Sequence, residues 1–501
     1  MLAHCRYWIT GLTVVLGLTG TGPLRAEVTF SKDIAPIVFE KCTSCHRPGE
    51  AAPFALQTYT DVKKRGELIP HVVNERLMPP WKAGEGAAAF RGDRRLSDDQ
   101  IQLIAVWSAA GMPEGNPVDL PPLPQYTPGW SLGEPDLIVT MKDGYQVPAD
   151  GPDIYRNFVL PLGLTTDRWI TAIDFRPSAR SVVHHSLFFF EATGRARQLD
   201  EEDAPAGFKG GMGALMRLRG GGGTMRGRRN NESAEKPGQT GDSPAANPNE
   251  QQADQGEQQK DTSPKFGPLG GWALGAQPRF LPEGLAYFLP AGSDLILATH
   301  FHPSGKAEEE VSTVGIYFAK EPAKQRFTGV QLPPSFGAFK NIDIPAGTKE
   351  YVVEDSFELP IDVEAFGVSA HAHYLAKTMK LTATLPDGEE RTLLSIPDWD
   401  FAWQEQYQFA DYVPLPKGTR LHSRITYDNT TENPRNPTNP PARVRFGEES
   451  TNEMASMNLM VVAANKSEMP QLLESYRGFS RESMMKAPLL KMLQGKGQAK
   501  K

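Results

Sequence analysis

Cysteine is scarce in this chain, and the scarcity constrains the fold more than any other feature of the sequence. Only three of the 501 residues are cysteines, and Cys5 lies within the first 26 residues. Cys42 and Cys45 remain for the rest of the chain, which can therefore hold at most one disulfide. Its stability must come from packing or from bound metals. At this length several domains are expected rather than one core.

The first 26 residues have the pattern of an export signal. His4 and Arg6 give a weakly basic start, the apolar run ITGLTVVLGLTG follows, and residues 24–26 offer a cleavage site. The run is short for a bilayer span, and an uncleaved anchor is the alternative. We expect an exported protein, periplasmic or extracellular, with no membrane span after cleavage.

Cys42 and Cys45 stand in the motif CTSCH, in which His46 follows directly. The pattern C-x-x-C-H is the attachment signature of c-type haem. Two thioethers fix the porphyrin, and the adjacent imidazole reaches the iron as the proximal ligand. A redox disulfide beside an incidental histidine is the alternative. The motif predicts one covalent haem c.

The segment RLMPPW offers Met78 as the sixth iron ligand. Pro79 and Pro80 forbid a continuing helix, which predicts that Met78 lies on a loop. Histidine–methionine ligation raises the reduction potential and suits an electron carrier. His71 is the competing ligand, and a methionine here could also be a core residue.

Two helices are expected around this motif. SKDIAPIVFEKC predicts a helix capped by Ser31, and LSDDQIQLIAVWSAAGMP predicts one with a capping box of Ser97 and Gln100. With small helices around a covalent haem, residues 27–118 resemble a class I cytochrome c, which implies a small all-α domain. The Pro-rich stretch that follows predicts a linker and a first strand over residues 119–150.

The remainder has the pattern of β structure. Short segments rich in β-branched and aromatic residues, such as VVHHSLFFFE and LILATHFH, alternate with turn-forming clusters. They predict two antiparallel β-sandwiches, over residues 151–325 and 326–466, rather than βαβ units. Residues 207–267, Gly-rich and then polar, predict a mostly disordered insertion. Residues 467–501 form a basic tail of unassigned role.

Six histidines of the β part occur in pairs: His184 and His185, His300 and His302, His371 and His373. Side chains at i and i+2 of a strand share a face, so His371 and His373 can hold one ion. Adjacent residues face opposite ways, so His184 and His185 can share an ion only if the strand bends or bulges. His422 stands alone and is interpreted as a core or surface group.

The available donors favour copper. Imidazole suits zinc, copper, iron and nickel, whereas a thioether selects copper(I). GEESTNEMASMNLMVV offers Met454, Met457 and Met460 before an apolar strand. Both remaining cysteines are assigned to haem, which excludes thiolate copper and iron–sulfur sites. The zinc-protease motif HExxH and the nucleophile elbow GxSxG do not occur in the sequence.

Four motifs in order give a specific resemblance: HH, LATHF after PAGSDLI, HAHYL, and NEM before an apolar strand. With them, residues 150–465 resemble the copper type II, ascorbate-dependent monooxygenases, which include the peptidylglycine- and dopamine-hydroxylating enzymes. The resemblance implies one copper in each sandwich. It puts His184, His185 and His300 on the electron-transferring copper, and His371, His373 and Met454 on the oxygen-binding copper, which reacts at a substrate C–H bond.

Two ligand assignments and the substrate stay open. Met457 competes with Met454, and His302 has no counterpart in the motif. Ser369 and Asn458 stand where the peptide-amidating members have an arginine and a tyrosine. The substrate class therefore stays broad, a small molecule or a peptide.

The expected chain is multidomain: a small all-α cytochrome c domain followed by two antiparallel, jelly-roll-like β-sandwich copper domains. The expected function is an exported monooxygenase that uses O₂, one haem c and two coppers, with electrons from ascorbate or a redox protein through the haem. The alternative is a non-catalytic electron carrier whose β domains bind copper or a partner protein. A net charge of −7 without a basic stripe gives no reason to expect a nucleic-acid partner.

Overall fold

The computed structural model of the protein describes residues 27–48, 50, 52–86, 88–126, 129–203, 206–211, 214–215, 218, 264–273 and 276–498. The predicted signal and most of the predicted insertion lie outside these residues. The chain divides into two compact units. Unit 1 comprises Met1–Pro79 and Arg95–Pro124, and unit 2 comprises Pro80–Arg94 and Gln125–Lys501.

Unit 1 is helical in its described part. Its elements are a π-helical turn at Phe30–Ile34, α1 (Ala35–Lys41), α2 (Tyr59–Lys63), α3 (Leu68–Asn74), α4 (Asp98–Ala109) and a 3-10 turn at Pro117–Asp119. The π-helical turn and all four helices contribute apolar side chains to one core, in which Trp107 is fully buried.

The two helices predicted in unit 1 have different outcomes. The capping box of α4 is confirmed, because Ser97 and Gln100 each accept a hydrogen bond from the other's backbone N–H. Ser31 is not an N-cap, since it lies buried inside the π-helical turn and its Oγ donates to the backbone oxygen of Glu114 at 2.9 Å. The N-cap lies two residues earlier, at Thr29, whose backbone N–H donates to Asp33.

In unit 2, residues 137–318 form what we term the first β region. Its elements are β1 (Leu137–Thr140), β2 (Tyr145–Val147), β3 (Ile154–Pro161), β4 (Arg168–Arg176), β5 (Val183–Glu191), α5 (Arg195–Glu202), β6 (Phe208–Lys209), β7 (Phe266–Ala273), β8 (Tyr287–Leu289), β9 (Asp294–Phe301), β10 (Glu308–Glu310) and β11 (Thr313–Phe318). The sheet orders are β1-β11-β4-β8, β6-β3-β9-β5-β7 and β10-β2.

The two larger sheets of the first β region share one apolar core. Phe158 and Leu297 reach it from the five-stranded sheet, and Ile170 and Ile316 reach it from the four-stranded sheet. Strand β9 is buried at almost every position because it is the middle strand of its sheet. Strand β6 and the start of β7 fall inside the range predicted as a disordered insertion, so the ends of that range are paired strands.

Residues 327–463 form the second β region. Its elements are β12 (Phe327–Leu332), a 3-10 turn at Pro334–Gly337, β13 (Asp343–Ile344), β14 (Tyr351–Glu358), β15 (Val363–Ala372), β16 (Ala376–Thr384), β17 (Glu390–Ile396), β18 (Gln406–Leu415), β19 (Arg420–Tyr427), β20 (Val444–Arg445) and β21 (Ala455–Ala463). The sheet orders are β12-β21-β15-β18, β14-β19-β16-β17 and β13-β20, and the two four-stranded sheets again share one core.

Two further segments pack on the second β region. Trp81 and Phe90, from residues 80–94, lie in its core beside Tyr407. These residues were predicted to belong with 27–118, but they fall in unit 2. The predicted basic tail begins with a 3-10 turn at Lys466–Glu468 and helix α6 (Met469–Gln498), and its Leu472 is fully buried in the same core.

The described chain is thus rich in β structure, with several sheets and few helices. All pairings between the strands named above are antiparallel. No helix among the residues described is both long and apolar enough to cross a membrane.

Candidate metal centres

A β-bulge brings His184 and His185 to the same side of strand β5. Val183 pairs with Phe301 of β9, whereas His185 pairs with His300, so two steps along β5 match a single step along β9. The extra residue is His184. A bulge of this kind breaks the alternation of side chains. Two adjacent histidines of a strand can share an ion only if the strand bulges, and β5 has such a bulge.

The bulge assembles His184, His185 and His300, which we term the first histidine group. One ligand nitrogen from each ring can be chosen such that all three lie within 4.8 Å of one another. The ring centroid of His300 lies 5.2 Å from that of His184 and 4.9 Å from that of His185. The Nδ1 atoms of His184 and His185 are 3.1 Å apart. The strand register therefore gathers all three predicted ligands at one point.

An aspartate that the sequence did not single out lies beside this group. Oδ2 of Asp153 is 3.0 Å from Nε2 of His300, and its Oδ1 is 2.8 Å from Nδ1 of His302. The buried Nδ1 of His300, by contrast, has no hydrogen-bond partner among the described residues. Unpartnered buried nitrogens are costly unless they bind something. His302 itself is mostly exposed and touches the group only through Asp153.

Burial keeps His184 and His185 uncharged. Burial, with a smaller effect of His300, lowers the pKa of His184 to about 3. Burial also lowers the pKa of His185 well below its usual value, with His300 and His184 adding to the effect. Both imidazoles are neutral at physiological pH and offer lone pairs to a metal without competition from protons.

The second histidine group consists of His371, on β15, and His373, just beyond it. Their ring centroids lie 5.2 Å apart. Nδ1 of His371 is 2.6 Å from Oε1 of Gln404, and Nδ1 of His373 is 3.1 Å from the backbone oxygen of Asn452. Both partners are acceptors, so Nδ1 carries the proton in each ring. The Nε2 atom of each ring keeps its lone pair, as a metal ligand requires.

The strand register separates Met454 from its rival Met457. His371 pairs with Ser456 and Ala370 pairs with Met457, so Met457 shares the opposite face from the histidine. Met457 is fully buried in the core of the second β region. The last pair of this register is Ala372 with Ala455, so His373 directly follows β15 and Met454 directly precedes β21 at the same end of the two strands. Of the two methionines, Met454 is therefore the one that fits with His371 and His373.

A buried glutamate fixes the backbone around this group. The carboxylate of Glu453 accepts hydrogen bonds from the backbone N–H groups of His373 at 2.9 Å, Leu375 at 2.6 Å and Met454 at 3.2 Å. Burial raises the pKa of Glu453 to about 8, against the lowering effect of these three donors. Glu453 thus joins the end of β15 to the start of β21, the two points where the second group is built.

Phe401 contacts both histidine groups. Its ring centroid lies 4.3 Å from that of His184 and 5.3 Å from that of His373. The ring centroids of His185 and His371 are themselves 6.2 Å apart. The sequence predicted two separate triads, whereas the structure places the two groups side by side. The loop DWDFAWQEQ, left without a role by the sequence, supplies both Phe401 and the Gln404 that binds His371.

Two further polar positions of β15 and β21, Ser369 and Asn458, also share this face. Ser369 pairs directly with Asn458, and both alternate in step with His371 and Ser456. The two side chains at these paired positions are a hydroxyl and a carboxamide. This arrangement offers hydrogen bonds but no positive charge.

The haem motif of unit 1 forms a compact turn after helix α1. The backbone N–H groups of Cys45 and His46 both donate to the backbone oxygen of Cys42, at 3.1 and 2.9 Å. The two cysteines are not joined in a disulfide, and burial raises the pKa of Cys42 to about 12, so its sulfur is a thiol. Nδ1 of His46 is 3.0 Å from the backbone oxygen of Phe54. That contact leaves Nε2 of His46 as the ligand atom for an iron.

The sixth haem ligand stays a prediction. Met78 lies on the loop after α3, where its backbone N–H donates to Val72, and its side chain is 43% exposed. His71, on α3, is exposed as well. Both candidates are accessible, and neither is held in a core.

Comparisons with known proteins add little. No protein-family model matches the sequence. No curated protein matches it. Among solved structures, the infectious bursal disease virus VP2 subviral particle is similar with a TM-score of 0.17 and 10% sequence identity, over 66% of this chain and 72% of that chain. A likeness at this TM-score carries no argument about fold or function.

Proposed function

We propose that this protein is an exported haem- and copper-dependent monooxygenase that hydroxylates a substrate C–H bond with O₂. The observation that carries the proposal is the first histidine group, in which a bulge brings three imidazoles together with ligand nitrogens within 4.8 Å of one another. The second group supports it, because His371 and His373 both present Nε2. The buried Nδ1 of His300, which has no hydrogen-bond partner among the described residues, gives the fit test for a metal.

The donor set favours copper over other metals. Imidazole with a thioether suits copper, and the cysteines that other copper sites use are taken up by the haem motif. When bound, copper would supply the one-electron redox chemistry that activation of O₂ requires. The overall reaction consumes one O₂, two electrons and two protons. One oxygen atom enters the C–H bond and the other leaves as water.

The chain's own residues would prepare the site for this chemistry. His184, His185 and His300 would hold one ion, and His371, His373 and Met454 the other. Gln404 and the backbone of Asn452 orient the rings of the second group by accepting from Nδ1. The apolar ring of Phe401 covers both groups and limits the access of water.

The electrons would enter through a haem c held by unit 1. Cys42 and Cys45 would form the thioethers, His46 would bind the iron, and Met78 or His71 would be the sixth ligand. Ascorbate or a redox protein would reduce the haem. Tethering the haem to the same chain raises its effective concentration near the copper.

The test is O₂ consumption by the purified, copper-loaded chain with ascorbate as reductant. We expect copper-dependent uptake and, with labelled O₂ and a panel of small-molecule and peptide substrates, one labelled atom in the product. Met454→Leu removes the thioether and keeps the volume, so uptake should fall at least tenfold. Met460→Leu, in strand β21 directly after Met454, is the matched control and should retain activity. Equal activity in both variants would refute the assignment of Met454.

The relay has its own test. Rapid mixing of the reduced protein with O₂ should oxidise haem and copper in coupled phases. A haem that stays reduced while O₂ is consumed would exclude it as the electron donor.

The alternative function is a non-catalytic electron carrier with copper-binding β regions. It is favoured by one observation, that the arrangement of Cys42, Cys45 and His46 is complete without the histidine groups. A carrier would undergo reversible haem reduction without copper-dependent O₂ uptake. Uptake that is lost in His371→Ala while the haem spectrum is unchanged favours the enzyme.

A further inference from the structure

A cleft of about 740 Å³ lies in unit 2, where helix α6 meets the segment that joins the two β regions. Met469 and Leu473 of α6 and Trp169 of β4 supply the larger apolar side chains of its lining. Met469 is buried, whereas Leu473 and Trp169 stay partly exposed. The volume is within the range of about 300–1,000 Å³ that small-molecule sites occupy. No lining residue belongs to either histidine group, so the cleft is a separate feature.

Positive charge dominates the lining of this cleft. One lining side chain, Glu474, is acidic, and five are cationic: Lys324, Arg326, Lys466, Arg477 and Arg481. The chain as a whole carries a net charge of −7, so the concentration of cations here runs against its overall balance. A concave surface lined by one sign of charge focuses the electric field and attracts ions of the opposite sign.

The protein itself neutralises few of these cations. Nζ of Lys324 lies 3.5 Å from Oε1 of Glu283, and both side chains are largely exposed, so this pair is weak. Arg326, Lys466 and Arg477 have no ion-pair partner among the residues that the structure describes. Three cationic groups are therefore available to a ligand in the cleft.

The spacing along α6 places two of the cations side by side. Arg477 and Arg481 are four residues apart, so they are neighbours on one face of the helix. Like charges at this spacing repel each other and destabilise a helix. The first turn of α6 also lines the cleft, and a helix N-terminus adds partial positive charge. A bound anion would offset both effects.

We propose that this cleft binds a phosphate ester with an aromatic or aliphatic body. A phosphate monoester carries between one and two negative charges near pH 7 and has three acceptor oxygens. Guanidinium groups match these oxygens with paired N–H donors, and ammonium groups add point charges. The indole of Trp169, with Met469 and Leu473, offers the apolar surface on which the body of the ester packs. A concave site of this size suits a free small molecule better than a membrane surface.

Isothermal titration of the full chain with 1-naphthyl phosphate at low ionic strength tests the proposal. We expect one molecule bound for each chain, with an affinity that falls as sodium chloride is added. The double variant Arg477→Gln with Arg481→Gln should bind about tenfold more weakly or worse, because it removes the paired donors. Both side chains are exposed, so the fold should be retained, and circular dichroism checks it.

A matched double variant controls for net charge. Arg420→Gln with Arg445→Gln removes the same charge from exposed positions of the second β region, outside the cleft. Its affinity should stay within about twofold of wild type, since distant exposed charges are screened. A wild-type chain that does not bind 1-naphthyl phosphate, or two double variants that lose affinity equally, would overturn the proposal.

Trp169→Leu tests the apolar part of the site separately. The loss of aromatic packing should weaken the binding of 1-naphthyl phosphate by about three- to tenfold. The binding of inorganic pyrophosphate, which has no apolar body, should be unchanged. Equal affinities of wild type and variant for 1-naphthyl phosphate would remove Trp169 from the site, and an equal loss for both ligands would overturn the assignment of the apolar body.

Vesicles separate a free ester from a lipid headgroup. We expect vesicles of phosphatidylglycerol to bind the chain no better than vesicles of phosphatidylcholine. If phosphatidylglycerol vesicles bind the wild type but not the variant of Arg477 and Arg481, and 1-naphthyl phosphate does not bind, the free ester is wrong. None of these measurements depends on copper, so this proposal and the proposed function can fail independently.

Discussion

Phe401 stacks on His184 with ring centroids 4.3 Å apart and an angle of 28° between the planes, although the two residues come from different β regions. The same ring meets His373 nearly edge-on. A single apolar side chain thus connects the two histidine groups, and a change to it should reach both.

The first prediction concerns this ring. Phe401→Leu should alter the copper spectra of both groups, because the side chain packs on a member of each. The free energy of unfolding should fall by about 1–3 kcal/mol, as for other reductions of buried volume. Phe357→Leu, in the core of the second β region against Tyr476 and Phe479, is the control. It should cost similar stability and leave the copper spectra unchanged. A Phe401→Leu protein with wild-type copper spectra would contradict the packing of Phe401 against both histidine groups.

The second prediction concerns the carboxylate beside His300. Asp153→Asn keeps the shape and removes the charge, so copper affinity of the first group should fall about 10–100-fold, the usual effect of losing a group that orients a metal-binding histidine. Competition with a chelator measures it. Asp143→Asn, at an exposed position of the same β region, should bind copper as the wild type does. Equal affinities in the two variants would remove Asp153 from the site.

The third prediction concerns Glu453. Glutamine offers one acceptor oxygen and places its amide nitrogen against backbone N–H donors, so Glu453→Gln should lower the free energy of unfolding by about 1–3 kcal/mol. Denaturant titration measures the change. Glu449→Gln, four residues earlier and exposed, should stay within about 0.5 kcal/mol of wild type. A neutral Glu453→Gln would mean that the three N–H groups are satisfied in another way.

The fourth prediction separates the two candidates for the sixth haem ligand. Met78→Leu should abolish the absorption band that reports a methionine–iron bond and lower the reduction potential, since thioether ligation raises it. His71→Ala should leave both unchanged. The reverse pattern would make His71 the ligand. Covalent haem, detected on a denaturing gel, should persist in both variants because Cys42 and Cys45 are intact.

The fifth prediction is a pH dependence in the loop that carries Phe401. Hydrogen bonds from Arg435, at 2.6 and 2.9 Å, together with its charge, lower the pKa of Asp398 from 3.8 to about 2. The unfolded chain binds more protons than the folded chain between these values. The pair therefore stabilises the fold above about pH 4, and the contribution is lost as the pH falls through about 2.

Arg435→Met tests this dependence. The difference in unfolding free energy between wild type and variant should be present at neutral pH and shrink between about pH 4 and pH 2. Arg420→Met is the control, because Arg420 donates to the hydroxyl of Ser356 rather than to an acid. Its difference should not change over this range. A constant difference for Arg435→Met would mean that only its bond to the backbone of Trp399 matters.

Some features of the site and of the helices could be predicted because they depend only on residues close together in the sequence. The spacing of His371 and His373 defines a shared strand face, and the adjacency of His184 and His185 requires the bulge that β5 contains. The capping box of Ser97 is likewise local. Each of these depends on a few neighbouring residues, and so each can be read without the fold.

Features that depend on packing between distant segments could not be predicted. Asp153 is one aspartate among many, 147 positions from His300, and nothing in its surroundings distinguishes it. The contact between His185 and His371 depends on how two pairs of sheets meet. Residues 80–94 follow the haem motif closely, but Trp81 and Phe90 are buried in a core that forms some three hundred residues later.

The bulge at His184 makes the length of strand β5 as important as its composition. Removing a single residue beside His184 would restore regular alternation and send one of the two imidazoles to the far side of the sheet, with every ligand still in the sequence. Deletion of one residue in this strand would therefore abolish the first site, whereas conservative substitutions in the strand would weaken metal binding by smaller amounts. The number of residues in this strand is therefore a requirement of the site, and a sequence comparison that scores only residue types will not detect it.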